Sequence, residues 1–349
     1  MAAILGKQPL ASQHTISRFF NRMDDSTLAQ FDAIMRELRQ KAYSIKMPEF
    51  VLFDIDTTLL PTYGKQGSEG FNYHYQAHGY HPVLCYDGLT GDLLLAVLRD
   101  GTDYCSKDSA EFMEPLISEC KKPYPLIQLY ARGDSGFATP ELYELFEDSS
   151  VKYAIRLKIN MTLTAKAQEK ADALMDVTRR NAVDYAVTYG EFMYKAGSWS
   201  HERRVVFKIE KPANQCTFMY TFIVINMEME PYKVLSYYCN RGRMENFIGE
   251  CKDGFVFASL SSKSKILNAN RLQLHTLVYN IFNLFRRLVL PNPMRKHLID
   301  TVRLKLLKIA TKVVHSCRYI RFNLCSICPY KDEVFQIFEN IWQLKVQLE

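Results

Sequence analysis

Four side chains of kinds that bind phosphate or metal recur at helical spacing in the second half of the chain. Tyr238, Arg241, Glu245 and Lys252 stand at offsets of 0, 3, 7 and 14 residues. On an α-helix that turns about 100° per residue, these four lie within roughly 60° of one another. A solvated face seldom mixes these types so regularly, and a core stripe would not carry the charges. The spacing predicts one helix face where a carboxylate holds a metal ion and cations hold phosphates.

Further carboxylates follow predicted strands in the first half of the chain. Asp54 and Asp56 alternate along the run EFVLFDID (49–56), so both point to one face of that strand. Asp134 ends the strand pattern PLIQLYARGD (125–134), where neighbouring glycines let the backbone bend. Carboxylates at adjacent strand ends can share a hard cation such as Mg²⁺, which prefers oxygen ligands. The alternative is an aspartate that only caps each strand end.

The elements that must position these residues follow from residue periodicity. Apolar residues at helical spacing predict a helix over 24–45. From 49 to 158 the pattern is β-β-β-α-β-α-β, which predicts a mixed sheet with helices on its faces, in the ribonuclease-H-like order. Residues 160–235 predict a mostly β-rich insertion, and the pattern after Tyr237 is helical almost to the end.

Composition narrows the class of protein. With 349 residues, 48% of them hydrophobic and 23% charged, the chain has the make-up of an ordinary globular protein. This composition excludes a disordered chain, a collagen-like chain and a coiled coil. No window reaches the roughly 18 apolar residues of a membrane helix, and no signal-peptide block stands at the start. We therefore expect a soluble, intracellular protein with no membrane partner.

Positive charge is concentrated near the C-terminal end. The segment from Arg286 to Arg321 has a net charge of +9, whereas the rest of the chain sums to −3. A basic tail on a slightly acidic body is typical of proteins that bind polyanions. The alternative is a set of solvated surface charges. The first eight cations of this segment are Arg286, Arg287, Arg295, Lys296, Arg303, Lys305, Lys308 and Lys312.

These motifs together resemble a known family. The pattern Tyr-x2-Arg-x3-Glu-x6-Lys resembles the signature of a large branch of bacterial insertion-sequence DDE transposases, and it matches without a gap. FDIDTT around Asp56, GKQGSEGFNYHYQ (64–76), GYHP (79–82) and YARGDSGFATPEL around Asp134 agree with this resemblance. From about residue 10 to the C-terminus, the chain resembles the transposases grouped as DDE domain group 1.

The resemblance implies an α/β protein with a ribonuclease-H-like mixed-sheet core, a β-rich insertion and a helical C-terminal region. It implies Asp56, Asp134 and Glu245 as the catalytic, metal-binding triad, with Asp54 as the alternative first ligand. We favour Asp56 because Asp-x-Thr resembles the end of the first strand in this fold. The cofactor would be two Mg²⁺ ions, with Mn²⁺ as an alternative. The residues implied to bind DNA are Tyr238, Arg241, Lys252, Arg286, Arg287, Arg303, Lys305, Lys308 and Lys312.

The implied function is metal-dependent cleavage and strand transfer at transposon ends, on double-stranded DNA, by a homodimer assembled on that DNA. The implied location is the bacterial cytoplasm, at the nucleoid. Two alternatives stay open: an inactive DNA-binding remnant, and a nuclease that cuts without joining. The opening residues resemble a stretch just before the core, so we expect an N-terminally truncated copy. The expected segments are a helical remnant (1–46), the first part of the core (47–159), the insertion (160–235), and the catalytic helix with the basic region (236–349).

Overall fold

A computed structural model describes residues 11–181, 184–215, 217–316 and 319–344 of the chain. The chain divides into two units. The sheet unit comprises Ile45–Tyr63 and Ser68–Phe247. The helical unit comprises the described parts of Met1–Ser44, Gly64–Gly67 and Ile248–Glu349.

Thirteen strands and eleven α-helices are present in the described residues. The strands are β1 (Phe50–Thr57), β2 (Leu60–Pro61), β3 (Gly70–Asn72), β4 (Ala77–Tyr80), β5 (Val83–Asp87), β6 (Leu93–Val97), β7 (Gln128–Gly133), β8 (Lys152–Leu157), β9 (Ala186–Tyr194), β10 (Arg203–Lys211), β11 (Met219–Ile225), β12 (Thr311–His315) and β13 (Ile320–Leu324). The α-helices are α1 (Gln13–Phe20), α2 (Asp25–Ile45), α3 (Ser109–Lys121), α4 (Pro140–Asp148), α5 (Met161–Lys166), α6 (Gln168–Asn181), α7 (Pro231–Cys239), α8 (Arg243–Gly254), α9 (Lys265–Leu288), α10 (Ile299–Val302) and α11 (Lys331–Gln343). Short 3₁₀ turns lie at Ser135–Phe137, Asn240–Gly242 and Asn292–Met294, and a π-helical turn at Arg303–Leu307 follows α10.

The sheet unit is built on one eight-stranded mixed sheet. Its order is β6-β5-β1-β7-β8-β11-β10-β9. β1, β7 and β8 are parallel neighbours, whereas β5 and β6 pair antiparallel on the other side of β1. The fold class predicted from the sequence, a ribonuclease-H-like mixed sheet with helices, is confirmed. The prediction missed a small sheet of β2, β3 and β4 between β1 and β5.

The central strand β1 is buried along almost its whole length. Val51, Phe53 and Ile55 have no exposed surface, and Leu52 and Asp54 on the alternate positions are also buried. A strand with both faces covered in this way has a nearly continuous apolar sequence. The run FVLF before the two aspartates is such a sequence, which explains why β1 lies in the middle of the sheet.

The segment 160–235 differs in part from the predicted β-rich insertion. It contains the two helices α5 and α6 as well as strands β9, β10 and β11, and those strands extend the main sheet from the edge of β8. The helical signal was present in the sequence, because buried positions 163, 167, 171, 174 and 178 follow a helical period. Asn160 also caps the first of these helices through a 2.9 Å hydrogen bond from the backbone N–H of Leu163.

The helical unit contains the long helix α9, which buries several asparagines. The side-chain amide of Asn270 donates to the backbone carbonyl of Asp24, and that of Asn268 donates to Gln66 and to the carbonyl of Ser262. Buried polar groups of this kind are stabilising only when they are hydrogen-bonded. The helix predicted over 24–45 is confirmed as α2. Residues 1–10 of the predicted 1–46 segment lie outside the described residues.

The predicted helical C-terminal region contains a β-hairpin as well as helices. Strands β12 and β13 pair antiparallel, with Thr311 opposite Leu324 and His315 opposite Ile320. The two runs TKVVH and IRFNL are rich in β-branched and aromatic residues, which favour strands. In the part of the chain that the structure describes, no helix is both long and apolar enough to cross a membrane.

A buried ion pair joins the two central strands. Both oxygens of Asp54 on β1 accept hydrogen bonds from the guanidinium of Arg132 on β7, each at 2.7 Å. The two side chains are 0% and 3% exposed. Gly88 closes over the pair, since a Cβ there would lie 2.3 Å from Asp54 and 2.9 Å from Arg132. Arg132 also donates to the carbonyl of Tyr237.

We predict that Asp54→Asn lowers the free energy of unfolding by about 3–5 kcal/mol, because it leaves the guanidinium of Arg132 buried without a counter-charge. The matched control is Asp56→Asn, two residues along the same strand. It should cost less than about 1 kcal/mol, because burial and the repulsion from Asp134 disfavour the charge of Asp56 and offset the loss of its ion pair with Arg241. Urea unfolding of both variants measures the difference. Equal losses would contradict a structural role special to Asp54.

A buried aspartate also ends β5. Asp87 accepts hydrogen bonds from the backbone N–H of Leu89 and the hydroxyl of Thr90, in the turn predicted from DGLTGD. In the same turn Gly91 has a φ of +75°, and a Cβ there would lie 2.9 Å from the ring of Phe247. Burial raises the pKa of Asp87 from 3.8 to about 6, and the two hydrogen bonds oppose that shift.

We predict a pH dependence of stability from Asp87. Its pKa is higher in the folded state, so the unfolded chain releases the proton first as pH rises. The folded state therefore loses stability between about pH 4 and 6. Asp87→Asn should remove this loss. The difference in the free energy of unfolding, variant minus unsubstituted protein, should therefore rise by roughly 2 kcal/mol between pH 4 and pH 7. Urea unfolding at the two pH values tests this. A constant difference would show that Asp87 does not titrate in this range.

Candidate active site

Two of the three predicted catalytic carboxylates lie at neighbouring strand ends. Asp56 is near the end of β1, and Asp134 directly follows β7. The two strands are parallel, with Ile55 opposite Gly133 in the register. The carboxyl ends of parallel neighbours meet at one edge of a sheet, where ligand sites open. Asp56 and Asp134 both line a cavity of 420 Å³ at this edge.

The surroundings of Asp56 disfavour its negative charge. Burial is the largest cause that raises the pKa of Asp56, and the nearby carboxylate of Asp134 raises it further. Arg241 opposes this shift. Asp134 is partly buried, and its Oδ1 accepts a 2.8 Å hydrogen bond from the backbone N–H of Gly136. The cavity therefore holds two close carboxylates that have one guanidinium beside them.

Two residues of the predicted signature contact these strand ends directly. Arg241 forms an ion pair of 2.9 Å with Asp56 Oδ2 and donates to the carbonyl of Ile55 at 3.0 Å. The hydroxyl of Tyr238 donates to the carbonyl of Gly133 at 3.2 Å. Burial raises the pKa of this phenol, so it remains protonated and a donor. Both side chains thus hydrogen-bond to the ends of β1 and β7.

The signature does not lie on one continuous α-helix. Tyr238 is on α7, Arg241 is on the 3₁₀ turn Asn240–Gly242, and Glu245 is on the first turn of α8. The single helical face predicted from the spacing of these residues is therefore wrong. Asparagine and glycine are poor helix formers in a helix interior, which accounts for the tighter turn between α7 and α8.

Glu245 is solvent-exposed in the first turn of α8. Within residues 11–181, 184–215, 217–316 and 319–344, no three or more His, Cys, Asp or Glu side chains form a group that could hold a metal ion. Convergence of Glu245 with Asp56 and Asp134 therefore stays a prediction. Lys252 lies in the last turn of the same helix, in the part that belongs to the helical unit.

The alternative first ligand, Asp54, is in a different environment. Its two oxygens are both occupied by Arg132, and its side chain is fully buried. Asp56 lines the cavity with Asp134, whereas Asp54 does not. This geometry favours Asp56 as the ligand and gives Asp54 a role in joining strands.

The cavity wall contains residues to which the sequence analysis assigned no role. Aromatic rings of Phe71, Tyr73, Tyr75 and Tyr104 line it. The hydroxyl of Tyr75 donates to the carbonyl of Thr57, and burial together with Asp56 raises its pKa to about 12. His74, His81, Cys105 and Lys158 also line the cavity and were assigned no role.

Several of these residues come from two segments that already drew attention by resemblance, 64–76 and 79–82. A signal was thus present in the sequence, although it did not indicate what the residues do. Lys158 at the end of β8 is exposed, and its ammonium donates to the hydroxyl of Tyr104 at 3.1 Å. A larger cavity of 970 Å³ lies near the start of α7, but it contains none of the predicted site residues.

The predicted basic residues after α8 differ in their surroundings. Arg286 is paired with Glu250 and lies over the ring of Phe282. Arg287 is partly buried in the last turn of α9. Arg303 bonds to Asp300 and to the carbonyl of Gly254, and Lys305 contacts His297. Lys308 and Lys312 are exposed, the latter on strand β12.

Comparisons with known proteins agree with the sequence motifs. The sequence matches the family described as Transposase DDE domain group 1 over residues 1–346. It is similar to the solved structure of a piggyBac transposase in a synaptic complex with hairpin DNA, with 14% identity and a TM-score of 0.37. That alignment covers 81% of this chain and 64% of the piggyBac chain, so this chain spans less than two thirds of that protein. No curated protein matches the sequence. Because the family match extends over nearly all 349 residues, the chain belongs to the transposase DDE domain group 1 family.

Proposed function

We propose that this transposase catalyses divalent-metal-dependent cleavage of DNA at transposon ends and transfer of those ends to a target. One observation carries the proposal: Asp56 and Asp134 stand at neighbouring parallel strand ends in one cavity, and Arg241 of the signature is paired with Asp56. The partner would be double-stranded DNA, both transposon ends and target. A homodimer assembled on that DNA would bring two such sites to the two ends.

A divalent ion suits the chemistry of the two aspartates. Each offers carboxylate oxygen, the ligand that Mg²⁺ prefers, and the raised pKa of Asp56 reflects a negative charge that a cation would relieve. Asp56 and Asp134 would hold the ions, and Glu245 would complete the ligand set. Two bound Mg²⁺ ions, or Mn²⁺ as the alternative, would polarise the phosphate and activate the attacking hydroxyl for in-line displacement.

The protein's own cations would position the DNA. Arg241 would exchange its contact with Asp56 for a phosphate, which its planar guanidinium can bind in bidentate fashion. Tyr238 would contact the backbone, and Lys252 would act as a point charge. Exposed Lys158, Lys308 and Lys312 would add salt-sensitive affinity. The other tail cations, Arg286, Arg287, Arg303 and Lys305, would contribute through the charge of the helical unit.

A second candidate is an inactive DNA-binding remnant. The observation that favours it is the exposed position of Glu245, together with the lack of a three-ligand group among the described residues. A nuclease that cuts without joining is the third candidate. A strand-transfer assay separates the three functions. The transposase joins ends to a target, the nuclease leaves only free ends, and the remnant binds DNA without cutting.

We predict that Glu245→Ala lowers the rate of Mg²⁺-dependent cleavage by at least about a hundredfold, because it removes a metal ligand. DNA affinity should change little, since no phosphate contact is lost. The substrate is a duplex made from the DNA that flanks the gene, and the measurements are single-turnover cleavage and gel-shift binding. Glu202→Ala, which removes another exposed carboxylate of the sheet unit, is the matched control. Cleavage by Glu245→Ala at the control's rate would remove Glu245 from the triad.

We also predict that Arg241→Gln strengthens Mn²⁺ binding to the DNA-free protein by on the order of tenfold. The substitution removes a cation that is hydrogen-bonded to Asp56, a contact of about 1.5–3 kcal/mol. Calorimetry with Mn²⁺ alone measures the affinity. Arg243→Gln, which neutralises an exposed arginine two residues away, should change it much less. Weaker Mn²⁺ binding by Arg241→Gln would show that Asp56 is not a ligand in competition with Arg241.

A further inference from the structure

A buried histidine lines the cavity of the two aspartates and has one ring nitrogen without a partner. His81 lies between β4 and β5, is 2% exposed, and forms part of the wall that includes Asp56 and Asp134. Its Nε2 atom is buried and has no hydrogen-bond partner among the described residues. A buried polar atom without a partner destabilises the folded protein, because it has lost its hydrogen bonds to water and gained none in return. Such an atom beside a catalytic cavity indicates a ligand.

The other ring nitrogen determines which chemistry Nε2 can perform. Nδ1 lies 2.8 Å from the backbone carbonyl oxygen of Asp103, which can only accept a hydrogen bond. Nδ1 therefore carries a proton and donates it. In the neutral ring, Nε2 is then an acceptor with a free lone pair.

The surrounding structure holds the ring in this orientation. The guanidinium of Arg99 donates to the carbonyl of His81 at 3.1 Å and to the carbonyls of Tyr104 and Cys105, each at 3.1 Å. The ring of Tyr75 packs edge-on against His81. Arg99 is itself 3% exposed, so this support is part of the core.

The charges around His81 favour the neutral ring. Burial is the largest cause that lowers the pKa of His81, and electrostatic interactions with Arg99 and then His74 lower it further. The carbonyl and carboxylate of Asp103 oppose the shift. An imidazole with its pKa below 6.5 is mostly neutral at pH 7. Nε2 therefore accepts hydrogen bonds near neutral pH.

Because Nε2 is an acceptor, it can bind only some of the groups present when DNA occupies the cavity. Phosphate oxygens are acceptors themselves and cannot bind a neutral Nε2. Mg²⁺ prefers oxygen over imidazole nitrogen. The remaining partners are O–H and N–H donors, which are water, a 3′-hydroxyl or the amino and imino groups of a base.

We propose that Nε2 of His81 accepts the hydrogen bond of the hydroxyl group that attacks the phosphate, water in cleavage and the 3′-hydroxyl in strand transfer. The proposal rests on the proposed function. In this role His81 orients the attacking hydroxyl. The hydroxyl donates one O–H to Nε2, and this directs a lone pair of its oxygen toward the phosphorus. His81 would then be a catalytic residue that the triad and the signature do not include.

Two substitutions separate the two ring nitrogens. His81→Asn retains a side-chain N–H near the position of Nδ1 and can still donate to Asp103, but it removes the acceptor at Nε2. His81→Gln can place an amide oxygen near Nε2. We expect kcat for cleavage and for joining of a precut end to fall about 10- to 100-fold in His81→Asn, with KM for DNA unchanged. His81→Gln should recover most of that loss.

A base donor gives a different outcome. If Nε2 binds a base, an abasic nucleotide at the cut site should slow the unsubstituted protein as much as His81→Asn does, and should not slow the variant further. That result would overturn the proposal. Loss in His81→Asn on both intact and abasic duplexes supports it. Equal activity of His81→Asn and the unsubstituted protein on the same duplex would also overturn it.

A second measurement does not depend on turnover. The protein has 8 histidines, and nitrogen NMR of ¹⁵N-histidine-labelled protein can assign the His81 resonance by its loss in His81→Asn. With Mg²⁺ present, a precut duplex ending in a 3′-hydroxyl should shift the Nε2 signal. The same duplex ending in a 2′,3′-dideoxynucleotide should not. An equal response to both duplexes, or to neither, contradicts the proposal.

The failure of this inference is distinguishable from failure of the proposed function. If the unsubstituted protein cleaves DNA and Nε2 ignores the 3′-hydroxyl, only the role of His81 is wrong. If it does not cleave the flanking duplex with Mg²⁺ or Mn²⁺, the proposed function is wrong, and the NMR comparison still decides whether Nε2 binds a hydroxyl.

Discussion

The arrangement of the site depends on the parallel pairing of β1 with β7. This register places Ile55 opposite Gly133, so the residues that follow, Asp56 and Asp134, emerge side by side. The bidentate pair of Asp54 and Arg132 joins the same two strands, one position before Ile55 and Gly133 in the register. This pair has almost no access to solvent. A buried pair is costly to disrupt from one side, because the remaining charge has no water to solvate it. Asp54 thus stabilises the pairing of the two strands whose ends present Asp56 and Asp134.

Charge balance in the cavity follows from this scaffold. Two carboxylates at adjacent strand ends repel one another, and burial adds to the cost of their charge. Arg241 lies on the turn between α7 and α8, where it neutralises Asp56 and bonds to the carbonyl of Ile55. In the proposed function, a metal ion at Asp56 would balance the same negative charge that Arg241 balances here. Arg241 would then be available to a phosphate, so the two binding events would be coupled.

Much of the cavity wall comes from the part of the chain between β1 and β7, including Phe71 and Asn72 on β3. The guanidinium of Arg99 donates to the carbonyl of His81 and to the carbonyls of Tyr104 and Cys105. It thereby holds the segment with Tyr104 and Cys105 against His81. Tyr75 reaches back to the carbonyl of Thr57 at the end of β1. The contacts of Tyr75 with Thr57 and of Arg99 with His81 each span 18 positions of the sequence.

The sequence alone determined the class of fold, the family and the identities of the candidate acids. β1 was predictable because a run of apolar residues ends at two aspartates. Residues 24–45 were predictable as a helix because their periodicity is local. Helices α5 and α6 were missed although a helical period of buried residues was present, and hairpin β12–β13 was missed because helical spacing before it was extended too far.

Only the tertiary structure could distinguish Asp54 from Asp56. Both face the same side of one strand, and what separates them is Arg132, which is 78 residues away in sequence and opposite in the sheet. The same holds for Arg241, whose contact with Asp56 spans 185 positions, and for His81, whose free nitrogen is defined by a carbonyl 22 residues further on. Spacing reports which side chains share a face of one element. Which partner each side chain meets depends on how distant strands pair, and local periodicity contains no information about that pairing.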